Sequence, residues 1–229
     1  MLITPLYRRD YVGELLHKYD EHILVKPRSI YYRPENKGRA IVLGNGTSRL
    51  SPQIQLMLRT NKNKPMPHYK ITYACNGAAW DTDADHYVVT NRVLMSEVDR
   101  KMWSQVFLPW DMFLDYDGTN CIPYISGMDA GSYATFLACF DGHNEVMLIG
   151  FDAYPGEPIE NCYEGRLSYP DRSDEQDSTK WHDTMANIMR TFRDVKFYRI
   201  GGGTTPVQWR DISNFQEVNP NEAVSLGDF

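Results

Sequence analysis

The sequence predicts an α/β protein with a single, mostly parallel sheet flanked by helices, in the Rossmann-like manner. Short runs of β-forming residues alternate along the chain with segments of helical periodicity. The first run, Ala40 to Leu43, is entirely apolar, as expected of a strand buried on both faces of a parallel sheet. It leads into the glycine turn Gly44-Asn45-Gly46, and α/β proteins commonly bind ligands at a turn in this position.

The first half of the predicted domain continues with a helix and two further strands. Ser51 and Pro52 provide an N-cap and a first-turn proline, which predict a helix as far as about Thr60. Val98 and Met102 lie at helical spacing later in this half. The other predicted elements are strands at 69–76 and 86–91 and a helix at 96–105.

The second half carries the strongest strand signal in the chain. The small-residue helix GSYATFLACF is predicted at 131–140, and the strand EVMLIGFD follows it after a turn. An amphipathic helix is predicted at 178–193, a strand at 195–200, and loop and tail at 201–229. The chain is therefore divided into an N-terminal extension at 1–38, an α/β domain at 39–205 and a C-terminal tail at 206–229.

Composition and charge argue against several classes of function. The formal net charge of −6 disfavours a nucleic-acid-binding surface, and no apolar run is long enough to span a bilayer. The four cysteines form no C-x-x-C pair, so neither a zinc site nor a disulfide framework is predicted, and a cytoplasmic location is expected. The tyrosine-rich N-terminal extension is a candidate surface for homo-oligomer contacts.

Polar residues follow the predicted strands at the edge where α/β sheets bind ligands. Asn45 lies in the glycine turn, Asn76 and Asn91 follow the next two strands, and Asp152 follows the strongest one. An asparagine amide donates and accepts hydrogen bonds without carrying charge, which suits a base, a ribose or a sugar better than a bare triphosphate. Asparagine is also well tolerated in turns, so a structural interpretation of each one stays open.

The glycine turn matches neither familiar nucleotide-binding fingerprint. No lysine follows Gly44 at Walker spacing, and Arg49 stands where a dinucleotide-binding turn has its third glycine. The backbone amides from Gly44 to Ser48 are still expected to approach a phosphate, because glycine carries no Cβ. The acidic run DTDAD at 81–85 precedes a strand and lacks the EF-hand glutamate, so we interpret it as a solvated loop and predict no metal site.

His182 is the most informative titratable residue. It lies in the first turn of the helix predicted from Ser178, one position after the core-facing Trp181. The helix N-terminus disfavours imidazolium, which leaves the ring neutral and able to accept a proton near pH 7. The alternative is a half-exposed surface histidine without a catalytic role.

Five segments of the chain, taken in order, resemble glycosyltransferase family 42, the bacterial sialyltransferases, and uncharacterised marine-bacteriophage relatives of that superfamily. They are IVLGNGTSRL, YACNGAAW, YVVTNRVL, DAGSYATFLACFDGHNEVMLIGFDAY and KWHDTMANI, and they span roughly residues 39–198. The resemblance implies a GT-A-type variant of the fold, with a nucleotide-sugar-binding domain at 39–205. It implies a donor of the CMP-sialic-acid type.

The resemblance also implies which residues bind the donor. Thr47 replaces the proline of the family's G-N-G-P-S turn, and Ala130 replaces the serine of its S-G pair, so that contact is lost unless Ser132 or Ser126 supplies it. The residues implied to bind the donor are Gly44, Asn45, Gly46, Ser48, Asn76, Asn91, Gly131, Ser132 and Asp152.

The implied reaction transfers the sugar to an acceptor hydroxyl, on a glycan or another compound, with inversion at the anomeric carbon. His182 is implied to be the general base that removes the proton of that hydroxyl. Tyr154 and Tyr163 are implied to donate hydrogen bonds to the departing phosphate, in place of a metal. No cofactor besides the donor nucleotide sugar is implied.

Two other interpretations stay open. A non-catalytic virion-associated or assembly protein would reuse the fold and contact its partner through residues 1–38, and the loss of the serine at position 130 favours it. An archaeal family of pterin pyrophosphokinases has a similar glycine turn and G-F-D strand. A protein of that kind would use Mg-ATP, with Asp152 and one aspartate of 81–85 as metal ligands. The three asparagines, Tyr154 and His182 favour the transferase.

Overall fold

A nine-stranded sheet organises the part of the chain that the computed structural model describes, which is residues 7–8, 38–64, 68–122, 127–154, 161–169, 178–201 and 203–225. In chain order its strands are β1 (Tyr7–Arg8), β2 (Arg39–Leu43), β3 (Thr72–Cys75), β4 (His86–Val88), β5 (Val106–Leu108), β6 (Asn120–Cys121), β7 (Glu145–Ile149), β8 (Lys196–Ile200) and β9 (Phe215–Val218). Across the sheet they lie in the order β1-β6-β5-β4-β3-β2-β7-β8-β9. Every pair is parallel except β1 with β6, which confirms the predicted mostly parallel α/β sheet.

Helices cover both faces of this sheet. They are α1 (Pro52–Lys62), α2 (Arg92–Met95), α3 (Trp110–Phe113), α4 (Ala130–Phe140), α5 (Thr179–Thr191) and α6 (Pro220–Ser225). Successive residues of β2 point to opposite faces. Ala40 and Val42 join the core that contains α4 and α5, whereas Ile41 and Leu43 join the core that contains α1, α2 and α3. The all-apolar sequence of β2 follows from this burial on both sides.

The strand order reverses direction at β2. From β2 the chain moves outward through β3, β4, β5 and β6 on one side, then returns to β7 and moves outward through β8 and β9 on the other. In doubly wound sheets, ligands bind outside the carboxyl ends of the strands at such a switch point. The loops that follow β2 and β7 begin at Gly44 and Gly150, so these two loops frame the expected site.

Three predicted helices are confirmed, and the predicted cap of the first is observed. Ser51 caps α1 by accepting a hydrogen bond from Ile54 N at 3.4 Å. The predicted helices at 131–140 and 178–193 correspond to α4 and α5. Of the predicted N-terminal extension, only β1 and residue 38 lie within the described residues. Within the described ranges, no helix is both long and apolar enough to cross a membrane.

The segment predicted as loop and tail is instead part of the sheet. It contributes β9 and α6, and Trp209 within it is 0% exposed. The short sequence FQEV carries little strand signal by itself, since only Val218 at its end is fully buried. Pairing with β8 and a buried ion pair between Arg199 and Glu217 place this strand. The prediction was wrong because these stabilising contacts are not local.

The prediction of one helix at 96–105 was also wrong, because the region contains two shorter helices with different bounds. Asn91 caps α2 by accepting hydrogen bonds from the amides of Val93 and Leu94, so the helix begins earlier and ends at Met95. Asp99 then caps a separate 3-10 helix, Arg100–Gln105. Because Asn91 and Asp99 each cap a separate short helix, the region does not form one continuous helix. The strands β5 and β6 were missed because they contain three and two residues.

Candidate functional site

A cleft of about 290 Å³ opens at the switch point. Its walls come from the loops after β2 and β7, the end of β3, the first turn of α4 and the start of α5. This volume lies at the lower end of the usual range for small-molecule sites, which is about 300–1,000 Å³. The polar and aromatic residues that line it are Asn45, Asn76, Asp129, Phe151, Asp152, Asn161, Ser178 and Trp181.

The glycines of the two framing loops let the loops touch. Gly44 N donates to Ile149 O at 2.8 Å, and Gly46 N donates to Gly150 O at 2.9 Å. A Cβ on Gly44 would lie 2.3 Å from Gly150 O, which is closer than non-bonded atoms approach. Gly150 itself adopts φ +73°, a conformation that favours glycine. The glycine turn therefore serves loop-to-loop packing.

The turn amides are already used within the protein. Besides the amides of Gly44 and Gly46, Ser48 N donates to Asp152 Oδ2 at 2.6 Å, and Ser48 Oγ donates to Asp152 Oδ1 at 2.5 Å. Asp152 is 8% exposed and occupies the position at which a phosphate would meet these donors. The expectation that these three amides bind a phosphate is therefore wrong, because they already donate to Ile149 O, Gly150 O and Asp152 Oδ2.

Asn45 lines the cleft and retains an unused acceptor. Its Nδ2 donates to the hydroxyl of Tyr169 at 2.9 Å, and its backbone oxygen accepts from Cys162 N at 2.9 Å. Its Oδ1 is buried and has no hydrogen-bond partner among the described residues. Buried acceptors are nearly always satisfied, so this unpaired oxygen in the wall of the cleft is an exception among the described residues.

The two other asparagines differ in position. Asn76 lines the cleft with a left-handed φ of +41°, and its Oδ1 accepts from Thr90 N at 2.8 Å, joining the ends of β3 and β4. Asn91 is not among the described residues that line the cleft. It caps α2, and its Nδ2 donates to Ser168 O at 2.9 Å. The structure thus brings Asn45 and Asn76 together, while Asn91 performs the structural role that its turn position permits.

The first turn of α4 presents a carboxylate that the sequence reasoning missed. Asp129 is the N-cap of α4, where Oδ1 accepts from Ser132 N at 2.9 Å and Oδ2 from Ser132 Oγ at 2.5 Å. Ser132 is fully buried, whereas Asp129 stays accessible through the cleft. Although Asp129 is reachable from the cleft, partial desolvation by the surrounding walls raises the pKa of its carboxyl, and the Ser132 hydrogen bonds oppose the shift. The D-x-x-S cap pattern was the available signal.

Gly131 follows Asp129 in the wall of the cleft. A Cβ at this position would lie 3.1 Å from Asp129 Oδ1 and 3.2 Å from Phe151. The small residue therefore keeps space open beside the carboxylate.

His182 is buried behind the cleft. The residue is 2% exposed, and Nε2 lies 2.7 Å from Ala153 O. Since a carbonyl only accepts, Nε2 carries the proton and Nδ1 is left as an acceptor, 3.5 Å from the hydroxyl of Ser178. Ser178 lines the cleft and His182 does not. The predicted half-exposed surface alternative is wrong, and contact of the ring with the cleft runs through Ser178.

The two predicted tyrosines also lie away from the cleft. The ring of Tyr154 packs under the guanidinium of Arg199, whose Cζ is 4.6 Å from the ring centroid. The hydroxyl of Tyr163 donates to Asp81 Oδ1 at 2.7 Å and accepts from Arg49. Neither tyrosine is among the described residues that line the cleft. The structure therefore does not bring Tyr154, Tyr163 and His182 together at one surface.

Arg49 and Asp81 hold Tyr163, in the segment 161–169, against the loop that follows the 3-10 helix Asn76–Trp80. The guanidinium of Arg49 is 3% exposed and contacts both oxygens of Asp81, at 2.7 and 2.8 Å. Burial works to raise the pKa of Asp81, but the Arg49 hydrogen bond prevails and lowers it. Asp85 likewise accepts from Thr72 N at 2.7 Å. The loop 81–85 is solvated at Asp81 and Asp83, as predicted, but Asp81 and Asp85 also accept hydrogen bonds from Arg49 and Thr72.

Replacing Asp81 with asparagine is expected to lower the free energy of unfolding at pH 7 by about 1–2 kcal/mol, a value discounted for the partial exposure of the carboxylate. Because the folded-state pKa lies below the ordinary value of 3.8, this stabilisation is present above that value and is lost as the pH falls through the folded-state pKa. Urea denaturation at pH 7 and near pH 3 measures the difference.

Asp83 is the matched control for this prediction, since its side chain is 89% exposed and it pairs with Lys62 at the surface. Its asparagine variant should change stability by less than about 0.5 kcal/mol at either pH. Equal effects of the two substitutions would show that the buried Arg49 does not stabilise the Asp81 carboxylate.

The cleft is acidic and rich in acceptors. Asp129 and Asp152 lie in its wall, and none of the described residues that line it is Lys or Arg. Within the described ranges, no group of three or more His, Cys, Asp or Glu side chains is placed to hold a metal ion. Comparisons of the chain with protein-family models, with curated proteins and with solved structures find no match.

Proposed function

We propose that the protein is a glycosyltransferase-like enzyme that binds a nucleotide-sugar donor, of the CMP-sialic-acid type, in the switch-point cleft and transfers the sugar to an acceptor hydroxyl. The observation that carries this proposal is that Asn45 and Asn76, at the carboxyl ends of β2 and β3, line one cleft together with Trp181 of α5. The side-chain amide of Asn76 is held by Thr90, so the uncharged amide of Asn45 and the aromatic ring of Trp181 are the groups suited to a base, a ribose or a sugar ring.

Proton transfer in this proposal is assigned to Ser178 and His182 acting together. The Ser178 hydroxyl meets the cleft and lies 3.5 Å from the acceptor nitrogen Nδ1 of His182, whose Nε2 is held by Ala153 O. An acceptor hydroxyl placed beside Ser178 would pass its proton through that hydroxyl to the ring. A neutral imidazole is a suitable base for this step near neutral pH.

A non-catalytic binding protein is the second candidate. The observation in its favour is that Tyr154 and Tyr163 make packing and ion-network contacts away from the cleft. Without them, the departing phosphate lacks its expected donors. The Mg-ATP alternative would need Asp152 and an aspartate of 81–85 near one another. Asp152 is held by Ser48 and Asp81 by Arg49, which disfavours that arrangement.

CMP is expected to raise the melting temperature of the protein, and Asn45→Ala is expected to abolish the shift. A ligand at 100 times its Kd stabilises the folded state by about 2.7 kcal/mol, which a thermal-shift assay resolves readily. The panel comprises CMP, CDP, UDP, GDP and ATP, each with and without Mg²⁺.

Asn91→Ala is the matched control, because Asn91 lies outside the cleft. This variant loses a helix cap and about 1 kcal/mol of stability, but should keep the full CMP shift. If no nucleotide shifts the wild-type protein, the nucleotide-sugar proposal fails. If CMP binds but sugar transfer from a CMP-linked donor is absent, the binding-protein candidate is supported.

A further inference from the structure

We propose that the inner cleft binds the hydroxyl-bearing part of its ligand, a vicinal diol of a ribose or sugar, with Asp129 as the residue that recognises it and the phosphate held outside. This inference rests on the proposed function and specifies which chemical group of the ligand enters the site. It reverses the expectation that a glycine turn after the first strand binds a phosphate.

The wall of the cleft carries acceptor groups that a ligand hydroxyl can satisfy. The carboxylate of Asp129 is accessible from the cleft, and Asn45 Oδ1 is a buried acceptor without a partner among the described residues. An ionised carboxylate accepts hydrogen bonds and donates none. Hydroxyl groups supply the donors that such a wall requires, and two adjacent hydroxyls match two adjacent carboxylate oxygens.

The donors that would hold a phosphate are already engaged. The amides of Gly44, Gly46 and Ser48 donate to Ile149 O, Gly150 O and Asp152 Oδ2. The amide of Ser132, in the first turn of α4, donates to Asp129. A phosphate at either of these turns would therefore have to displace a carboxylate or a carbonyl before it gained a hydrogen bond.

The charge of the cleft wall also favours an uncharged diol over a phosphate. Asp129 and Asp152 both lie in the wall, and no Lys or Arg is among the described residues that line it. A phosphate placed between two carboxylates meets like charge in a partly desolvated site, which opposes binding. An uncharged diol meets no such repulsion.

Asp129 is the better recognition residue of the two carboxylates. Asp152 is 8% exposed, and its two oxygens hold Ser48 N and Ser48 Oγ. Both oxygens of Asp129 likewise accept from Ser132, which fixes their orientation, but Asp129 is exposed where Asp152 is buried, so a ligand in the cleft can reach its carboxylate. Trp181, in the same cleft, offers an aromatic face against which a sugar ring or base can pack.

Asp129→Asn tests the proposal without removing the helix cap, because asparagine is as good an N-cap as aspartate. Binding of cytidine, 2′-deoxycytidine, CMP, inorganic phosphate and methyl glycosides is measured by calorimetry, with EDTA or with Mg²⁺. We expect wild-type protein to bind cytidine within about tenfold of CMP and 2′-deoxycytidine at least tenfold more weakly than cytidine.

In Asp129→Asn, cytidine and CMP should both bind at least tenfold more weakly, while 2′-deoxycytidine should be nearly unaffected. If methyl glycosides bind and cytidine does not, and their binding is weakened in the same way by Asp129→Asn, the diol belongs to the transferred sugar. That result supports the diol inference and excludes the nucleotide. Circular dichroism and the melting temperature of the variant establish that it is folded.

Four outcomes overturn the inference. The first is tighter binding of CMP or inorganic phosphate to Asp129→Asn than to the wild type, since that result would place the phosphate beside the carboxylate. CMP binding with no detectable cytidine or glycoside binding also overturns it, while leaving the nucleotide-sugar proposal intact. A strict Mg²⁺ requirement that disappears in Asp129→Asn would make Asp129 a metal ligand instead. Absence of binding by every compound refutes both proposals.

Discussion

Gly44→Ala is expected to destabilise the protein by about 3 kcal/mol or more, at the upper end of the range for overpacking a dense site. The added Cβ would lie 2.3 Å from Gly150 O and 3.0 Å from Gly150 C, and both are backbone atoms that cannot rotate away. The loops after β2 and β7 would have to separate. Their mutual hydrogen bonds, including Gly46 N to Gly150 O, would weaken with them.

Gly127→Ala is the control for this prediction. No atom lies within 4 Å of a Cβ at Gly127, and its φ is not in the left-handed region. Alanine there should be neutral or should stabilise by about 0.4–1 kcal/mol through the unfolded chain. Urea denaturation of both variants gives the comparison. A Gly44→Ala variant as stable as the Gly127→Ala variant would contradict the tight contact between the loops.

The Gly44 variant also bears on the ligand site. Moving the β2 loop displaces Asn45, so the CMP shift should be lost together with stability. Asn45 is the direct neighbour of Gly44 and lines the cleft with Gly150, so a shift of the β2 loop away from Gly150 moves the Asn45 side chain as well.

Glu217→Ala is expected to cost about 3 kcal/mol, because it leaves a buried guanidinium without its counter-ion. Arg199 is 0% exposed and donates from Nε to the two oxygens of Glu217 at 3.0 and 2.8 Å. Burial raises the pKa of Glu217 while Arg199 opposes that shift, as expected of an acid in a partly desolvated pair. We place the estimate at the lower end of the range for buried pairs because Glu217 is 23% exposed.

Two further variants separate the buried charge from ordinary loss of contacts. Asp115→Ala removes the counter-ion of Arg92 in an exposed pair and should cost less than about 1 kcal/mol. Replacing both Arg199 and Glu217 with methionine removes the uncompensated charge and should be less destabilising than Glu217→Ala alone. A double variant that is less stable than the single one would show that the pair itself, and not the orphaned charge, governs stability here.

The Arg199 pair explains why the C-terminal segment belongs to the sheet. Arg199 lies between the rings of Tyr154 and Trp209, at 4.6 and 5.0 Å from their centroids. It therefore connects β8, β9 and the loop after β7. This packing also explains the position of Tyr154, because its ring occupies the space above Gly203, where a Cβ would lie 2.1 Å from the ring.

The regular elements with local signals were predictable. The apolar runs of β2 and β7 follow from burial on both faces, and the Ser51 cap with Pro52 predicts α1. The short strands β6 and β9 were not predictable, since two to four residues carry too little periodicity to separate them from loop.

The sequence by itself determined the mostly parallel α/β class, the central strands β2, β3 and β7, and the glycine turn at the edge of the sheet where ligands bind. Only the tertiary structure decided which polar residues share the cleft. Asn45 meets Tyr169 across 124 positions and Ser48 meets Asp152 across 104. Local patterns report which face of an element is buried, because that depends on residues a few positions apart. Whether a turn amide can bind a ligand depends on residues far away in the chain. In this protein the amides of Gly46 and Ser48 donate to the loop after β7, whereas the carboxylate of Asp129 lines the cleft.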